Sequence, residues 1–350
     1  MSTSAVESIG AEAAVDREVL VAVERLVRHF PVGRRGHDVV RAVDDVSFTI
    51  RRGETYGLVG ESGSGKSTIA RLLLRLDRPT SGRVVFEGRD LFSLPPHELR
   101  RLRRDIQIVF QDPFASLNRR KTVEQIVSLP LEVHEPAMSK ARRAERVREL
   151  LELVGLRPQH ADAYPRQLSG GQCQRVSIAR ALALGPKFVV LDEAVSAVDV
   201  SIQAQILNLL RDLQARLGLT YLFVTHDLSV VRYMANTIGV MYLGRIVESG
   251  SREQLFEHPR HPYTHALLAS IPSLDAAEGK PPAEALVVRD AAAIAGIPSG
   301  CRFHPRCPVG RNRDVCHSDD PPLRDVEPGH PVACHFPQSA ESLLASAGSQ

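Results

Sequence analysis

The chain has 350 residues, of which 43% are hydrophobic and 24% are charged, the composition of an ordinary globular protein. Its formal net charge of +3 is too small to indicate nucleic acid or an acidic membrane surface as a partner. Its apolar runs are all shorter than the roughly 18 to 20 residues that cross a bilayer, so we expect a cytosolic chain that reaches a membrane only through partners.

The N-terminal region predicts a flexible leader followed by an antiparallel sheet. Residues 1–17 (MSTSAVESIGAEAAVDR) contain acids and lack the basic start and apolar block of a secretory signal. The following stretches, VLVAVERLVRHF and VRAVDDVSFTIRRG, alternate between apolar and polar residues, as half-buried strands do. We therefore expect an antiparallel β-subdomain ahead of the core.

Four short apolar runs predict a mostly parallel central sheet that is covered on both faces. They are TYGLV (55–59), IQIVF (106–110), KFVVL (187–191) and YLFVT (221–225). Helical patterns follow the first run (STIARLLLRL) and separate the last two (SIQAQILNLLRDLQARLG). The second of these helices carries one apolar stripe, formed by Ile202, Ile206, Leu209, Leu210, Leu213 and Leu217.

The stretch from Pro95 to about Gly185 is polar and rich in arginine. Its segments ELRRLRRD and SKARRAERVRELLELVGL have a helical pattern. We expect a helical insert over about residues 95–185, between two strands of the sheet domain.

The motif GESGSGKS (60–67) predicts a phosphate-binding loop, because it matches G-x-x-x-x-G-K-[ST] after a predicted strand and before a predicted helix. Gly60, Gly63 and Gly65 let backbone amides turn towards the phosphates. Lys66 would reach the β- and γ-phosphates, and the Ser67 hydroxyl would ligate Mg²⁺.

The run FVVLDE (188–193) places two carboxylates at the carboxyl end of a buried strand, where ligands gather in α/β sheets. Asp192 is expected to hold the Mg²⁺ shell, and Glu193 to polarise the attacking water.

The succession of GESGSGKS, LSGGQ, VVLDE, SAVD and VTHD, in that order along the chain, resembles the ATPase subunit of an ABC transporter over about residues 20–250. The resemblance implies an α/β P-loop ABC ATPase core at 18–256, with a mixed sheet, an antiparallel N-terminal β-subdomain and the helical insert. A small Cys-rich C-terminal extension at 257–350 would follow. The implied nucleotide-binding residues are Phe30, Gly60, Ser62, Gly63, Gly65, Lys66, Ser67, Thr68, Gln111, Asp192, Ser169, Gly170, Gly171, Gln172 and Asp199.

The resemblance also implies individual roles. Phe30 would stack on adenine, although a core phenylalanine is the alternative. Gln111 would touch Mg²⁺ together with Ser67 and Asp192, and Asp199 would couple two active sites. His226 would contact the γ-phosphate. Glu193, His226, Lys66 and Gln111 form the implied catalytic set.

The segment LSGGQCQRVSIARAL (168–182) is a glycine turn that opens onto a helix, a geometry suited to an anion. In the family that it resembles, this turn meets the γ-phosphate held by another ATPase subunit. Ser169, Gly170 and Gly171 would therefore complete a partner's site. Cys173 stands where Arg, Gln or Lys is commoner in the family, which raises the question of its thiol reactivity.

The segment EHPRHPYTHALLASIP (257–272) resembles the region that follows the ATPase core in dipeptide and oligopeptide importers, a branch that includes nickel and glutathione systems. The implied partners are a second, unlike ATPase subunit, two transmembrane permeases and an extracytoplasmic substrate-binding protein, with no nucleic acid. The implied location is the cytoplasmic face of the cell membrane. A soluble ABC ATPase for DNA repair or translation is the rival from another class, and a regulatory subunit without turnover is a third possibility.

Four of the five cysteines follow the pattern C-x5-C-x8-C-x17-C, at Cys301, Cys307, Cys316 and Cys334. In a reducing cytosol such a group favours metal binding over disulfides. It resembles the motif that holds a [4Fe–4S] cluster in some peptide-importer ATPases. Zn²⁺ and free thiols remain alternatives.

Overall fold

The computed structural model describes residues 18–32, 38–196, 198–270 and 297–337. The predicted leader, residues 1–17, lies outside the described residues. The strands are β1 (Val19–Val32), β2 (Asp38–Arg51), β3 (Thr55–Val59), β4 (Ser81–Phe86), β5 (Arg89–Asp90), β6 (Ile106–Val109), β7 (Phe188–Asp192), β8 (Thr220–Thr225), β9 (Thr237–Tyr242), β10 (Arg245–Ser251), β11 (Arg324–Glu327) and β12 (His330–Val332).

The helices connect and cover these strands. They are α1 (Lys66–Leu73), α2 (Pro96–Leu102), α3 (Pro113–Ser116), α4 (Val123–His134), α5 (Lys140–Leu153), α6 (Gly170–Leu182), α7 (Val200–Leu217), α8 (Leu228–Met234), α9 (Arg252–Glu257), α10 (Pro262–Ala269) and α11 (Asp314–Ser318). Short 3-10 turns occur at Pro158–Asp162, Pro165–Gln167 and His304–Arg306. Among the described residues, no helix combines the length and the apolarity that a membrane span needs.

Two sheets organise the part of the chain that the structure describes. The first has the order β2-β1-β4-β5 and is antiparallel, as the alternating N-terminal stretches predict. The second has the order β11-β12-β10-β9-β3-β8-β7-β6, and its strands from β9 to β6 pair in parallel. The four apolar runs therefore form neighbouring parallel strands, which confirms that prediction. The carboxyl ends of these strands share one edge of the sheet.

Helix α1 lies between the two sheets. Its residues Ile69, Leu72 and Leu73 are buried in one apolar cluster with Leu58 of the parallel sheet and Ile50 of the antiparallel sheet. Burying a leucine or isoleucine side chain is worth roughly 1.5 to 3 kcal/mol. The packing fixes the helix start, and with it the preceding loop, against two rigid layers.

The predicted stripe of α7 is correct in part. Ile206, Leu210 and Leu213 are buried, but Leu217 is 48% exposed. Leu217 is the last helical residue before Gly218, which turns away with φ 66°, so its side chain lies past the core. Leu207, which lies outside the predicted stripe, is also buried.

The segment predicted as a helical insert contains one sheet strand. Strand β6 lies inside the range 95–185 because Ile106 and Val109 are buried apolar residues that β7 pairs. Helices α4, α5 and α6 pack together in one cluster after this strand, around Val127, Leu150 and Val176. The domain boundaries at 256/257 and around 95–185 stay predictions.

The C-terminal extension is joined to the core by strand pairing and by a buried carboxylate. Strand β12 pairs with β10 at Glu248 and Val332. Glu248 is 0% exposed and accepts hydrogen bonds from the N–H groups of Arg260 (2.7 Å) and His261 (2.9 Å), and it lies 2.8 Å from His330 Nε2. Burial pushes the pKa of Glu248 upwards, but these bonds outweigh it and hold the pKa below its usual value.

Candidate active site

The loop 60–65 runs from buried strand β3 to the start of α1 and borders a cavity of about 510 Å³. Gly65 has φ 107°, and a Cβ there would lie 2.0 Å from the carbonyl oxygen of Ala42, so only glycine fits. Of the predicted nucleotide residues, the cavity is lined by Ser62, Gly63, Gly65, Lys66, Ser67, Thr68, Gln111 and Glu193. The sequence motif thus forms one wall of a cavity at the start of a helix, where anions bind.

Lys66 is buried and folded back onto its own loop. Its Nζ donates to the carbonyl oxygens of Gly60 (2.8 Å) and Glu61 (2.9 Å), and lies 3.4 Å from Ser64 Oγ. Burial lowers the pKa of the Lys66 ammonium, and the nearby charges of Glu193, Asp192 and Glu61 oppose that shift. The lysine is a preplaced cation at the cavity wall.

Asp192 and Glu193 lie at the carboxyl end of β7, as predicted. Asp192 Oδ1 accepts a hydrogen bond from Ser67 Oγ at 3.2 Å. Burial raises the pKa of Asp192, the Ser67 bond lowers it, and the charge of Glu193 raises it further. A carboxylate crowded in this way is stabilised by an added cation. A hydroxyl and a carboxylate are also ligands that Mg²⁺ prefers, so these side chains fit the ion.

Glu193 is held on both sides of its carboxylate. Gln111 Nε2 donates to Oε2 at 2.6 Å, and His226 Nδ1 lies 3.2 Å from Oε1. The backbone of Glu193 has φ 48°, a left-handed conformation that is costly for a residue with a side chain. The structure therefore brings three of the predicted catalytic residues together, and two of them, Gln111 and Glu193, line the cavity.

The LSGGQ segment starts helix α6 and contributes no residue to the described lining of this cavity. Ser169 is the N-cap, its Oγ accepts from Gln172 N at 3.3 Å, and the Gln172 side chain accepts from Ser169 N at 2.9 Å. Gly170 and Gly171 are the first helical residues, and Ser169 is exposed. Among the described residues that line the loop cavity, none comes from 169–172.

Asp199 and Phe30 also lie away from the cavity lining. Asp199 is the N-cap of α7, and the neighbouring Val200 is 83% exposed. Phe30 lies in β1 opposite Val40, with the Arg28 guanidinium 4.2 Å above its ring. In the described part of the chain, it is Val39 and Val40 that line the cavity at this edge. The stacking role of Phe30 and the coupling role of Asp199 stay predictions.

The four cysteines of the extension line one small cavity, although they are far apart in sequence. All four are buried, and His304 and His335 lie at the same cavity. Cys307 Sγ accepts from Gly310 N at 3.2 Å, and Cys334 Sγ from Phe336 N at 3.4 Å. Burial raises the pKa of Cys301 to about 11 and of Cys334 to about 12, so without a metal these groups are thiols.

The placement of the cysteines sets a limit on what they hold. Across the described ranges, no group of three or more His, Cys, Asp or Glu side chains converges closely enough to hold one metal ion. The four cysteines line a small cavity of about 10 Å³. Cys173, by contrast, is a buried residue of α6 whose Sγ lies 3.4 Å from the Pro165 carbonyl oxygen, and it does not line this cavity.

Sequence reasoning missed Val39, Val40, Arg41 and Leu243 as lining residues of the loop cavity. They come from the antiparallel sheet and from the β9–β10 turn. No local motif marks such positions, because only the packing of two sheets brings them to the loop.

Known proteins share these features over most of the chain. The family model described as ABC transporter matches residues 43–196, and the one described as oligopeptide/dipeptide transporter, C-terminal region, matches residues 247–316. The probable peptide ABC transporter ATP-binding protein y4tS of Sinorhizobium fredii is 49% identical over 94% of this chain and 94% of its own length. The oligopeptide transport ATP-binding protein AppF of Bacillus subtilis is 45% identical over 92% of this chain and 99% of its own.

Solved structures give the same fold for the core. The dimeric structure of a post-hydrolysis state of the ATP-binding cassette MJ0796, bound to ADP and Pi, has a TM-score of 0.61 and 34% identity. It covers 67% of this chain and 99% of that one. The first family match includes the loop 60–65 and the LSGGQ helix, and the second includes three of the four clustered cysteines, with Cys334 beyond it.

Proposed function

This chain belongs to the ABC transporter family as an ATP-binding, ATP-hydrolysing subunit, and we propose that it powers the import of dipeptides or oligopeptides. The cargo assignment is supported by the C-terminal region at 247–316 and by relatives named for peptide and oligopeptide transport. The observation that carries the mechanism is that the described lining of the nucleotide cavity contains no residue of the LSGGQ motif, which starts α6.

ATP would bind with its phosphates over the loop 60–65 at the start of α1. Backbone amides and the helix N-terminus offer partial positive charge there. The Lys66 ammonium, now bonded to loop carbonyls, would supply a full positive charge there. Ser67, Asp192 and Gln111 would hold Mg²⁺, which neutralises phosphate charge when bound.

Glu193 would orient and polarise the attacking water. Its carboxylate is fixed by Gln111 on one side and His226 on the other, so its position is set before the substrate arrives. Such preorganisation lowers the barrier because little rearrangement is left for the reaction itself. His226 would then contact the γ-phosphate that leaves.

The second half of each site would come from another molecule. Ser169 is exposed at a helix N-terminus, and its Oγ accepts the backbone N–H of its capping partner, Gln172. A partner's γ-phosphate would meet Ser169 and the amides of Gly170 and Gly171. ATP binding would thus close two ATPase subunits face to face, and hydrolysis would open them. The dimeric MJ0796 cassette supports this arrangement.

The other partners follow from the same assignment. We propose a second, unlike ATPase subunit, two permeases and a substrate-binding protein, with this chain at the cytoplasmic face of the cell membrane. The region after Gln111, with Asp112, Pro113 and Phe114, would receive the permeases' cytoplasmic helices. Exposed apolar side chains at Phe110 and on α4, at Leu129 and Val133, support that placement.

The four-cysteine site would hold a [4Fe–4S] cluster. The support is that four buried sulfurs surround a common cavity and that at least two of them accept backbone N–H bonds, which stabilise thiolates. When bound, the cluster would cross-link the extension and add stability.

Two measurements test the proposal. The complex is purified in detergent with its neighbouring chains, reconstituted, and tested for ATP-dependent uptake of a labelled tripeptide, with the Lys66→Ala complex as control. Uptake of nickel or glutathione with no peptide uptake would contradict the cargo, and recovery with ribosomes or nucleic acid but no permease would contradict transport. Separately, anaerobic protein is analysed for iron, sulfide and zinc, where stoichiometric zinc without iron would contradict the cluster.

A further inference from the structure

The C-terminal extension bonds to the nucleotide loop at Glu61 through two of its residues, Arg306 and Tyr263. Arg306 donates to both carboxylate oxygens of Glu61, at 2.7 and 2.9 Å. The backbone N–H of Glu61 donates to the Tyr263 hydroxyl of α10 at 3.0 Å. The Arg306 side chain is 5% exposed and that of Glu61 is 29% exposed. The main chain and the side chain of this loop residue thus both bond to the extension.

Aromatic rings pack around the two residues that contact Glu61 and hold them in place. The Arg306 guanidinium lies 5.6 Å from the Tyr242 ring and 5.8 Å from the Phe303 ring. Tyr263 packs at 4.6 Å on Tyr242 and at 5.4 Å on Phe303. A two-pronged arginine–carboxylate pair has a defined geometry, and partial burial spares it the solvent screening that weakens surface pairs.

Glu61 is connected to the phosphate-binding lysine. Its carbonyl oxygen is one of the acceptors that hold Lys66 Nζ. Its carboxylate is also a negative charge on the loop that must receive a triphosphate. Arg306 pairs with that charge, and the described lining of the cavity includes neither Glu61 nor Arg306.

We propose that Arg306 is a positioning residue for ATP binding: through Glu61 it fixes the nucleotide loop and neutralises the loop's carboxylate. It precedes Cys307, one of the four clustered cysteines, so the same turn joins the cysteine site to the nucleotide site. The inference rests on ATP binding by this chain and not on the peptide cargo or on a metal in the extension.

The test compares ATP affinity by calorimetry for the full-length chain and four variants: Arg306→Gln, Arg306→Lys, Glu61→Gln and the Arg306→Gln/Glu61→Gln double variant. We expect Arg306→Gln to weaken ATP binding about tenfold, the scale of coupling through a neighbouring residue. Arg306→Lys should fall between it and the parent. The double variant should recover part of the lost affinity, because the unpaired carboxylate is gone. In the assembled complex, KM for ATP should rise while kcat changes little.

The matched control is Arg260→Gln, which removes another arginine–carboxylate pair of the extension. That pair joins Arg260 to Glu327 and includes no residue of the loop 60–65. Melting curves establish that each variant is folded. The proposal is overturned if folded Arg306→Gln binds ATP like the parent, if Arg260→Gln weakens binding equally, or if the two single effects simply add. If Arg306→Gln does not fold, the same cycle is made with Arg306→Lys, Glu61→Gln and their double variant. Additive effects in that cycle would overturn the proposal.

Discussion

Replacing His261 by asparagine is expected to remove an acid-sensitive contribution to stability. His261 is 1% exposed and caps α10, with its Nδ1 accepting the Tyr263 N–H at 3.0 Å. Burial lowers the pKa of His261 to about 4; the charge of Glu248 opposes the shift and His265 adds to it. Asparagine is a good N-cap and does not titrate, so the variant can keep the cap while it loses the proton equilibrium. It also loses the ring contact with Phe303, a loss that is the same at both pH values compared below.

The magnitude follows from the two pKa values. The unfolded chain binds this proton below about pH 6.5, whereas the folded chain binds it only below about pH 4. The unfolded state therefore binds more protons in that window, and the stability due to neutral His261 is lost as the pH falls through it. Between pH 7 and pH 5 the expected loss is about 2 kcal/mol.

Urea unfolding at pH 7 and pH 5 measures the loss. The parent should lose about 2 kcal/mol more than His261→Asn over this change, with the urea dependence unaltered. His258→Asn, which changes an exposed histidine three residues earlier, should behave like the parent. Equal losses in the parent and in His261→Asn would refute the reasoning.

Three further predictions concern other parts of the chain. Glu193→Gln should lower phosphate release at least about a hundredfold while ATP binding persists, since the amide keeps the size of the side chain and loses its charge; turnover near the parent's would contradict the role of Glu193. Gly310→Ala should destabilise the extension by about 1 to 3 kcal/mol in thermal unfolding, because a Cβ there lies 2.9 Å from Cys316 Sγ; an unchanged melting curve would show that the cysteine cavity can expand. Cys173 should resist iodoacetamide at pH 8 until the chain unfolds, because burial raises the pKa of its thiol to about 11; labelling of the native chain by mass spectrometry would contradict this.

The parallel strands and the nucleotide loop could be predicted because their signals are local. A strand with consecutive apolar residues, such as TYGLV, is expected where both faces of the sheet are covered. Strand β3 is indeed buried throughout. Gly65 is required by its own backbone angle and by the Ala42 carbonyl against it. Such constraints act over a few residues and leave a mark in the sequence.

Other features depended on packing between distant segments. Strands β11 and β12 are short, and neither has an apolar run, so it is the pairing of β12 with β10, and of β11 with β12, that makes them part of the sheet. The exposure of Leu217 follows from where Gly218 turns the chain and not from helical period. The contact of Arg306 with Glu61 joins residues 245 positions apart, which no motif spacing predicts.

The most direct test of the two-subunit site is the ATP turnover of a sample shown by ultracentrifugation to be strictly monomeric, set beside the assembled transporter carrying either native Ser169 or Ser169→Arg. The expected result is slow hydrolysis by the monomer and a loss of at least about a hundredfold in the assembled Ser169→Arg complex. A monomer as fast as the complex, together with full activity of Ser169→Arg, would contradict the claim that facing subunits share each triphosphate.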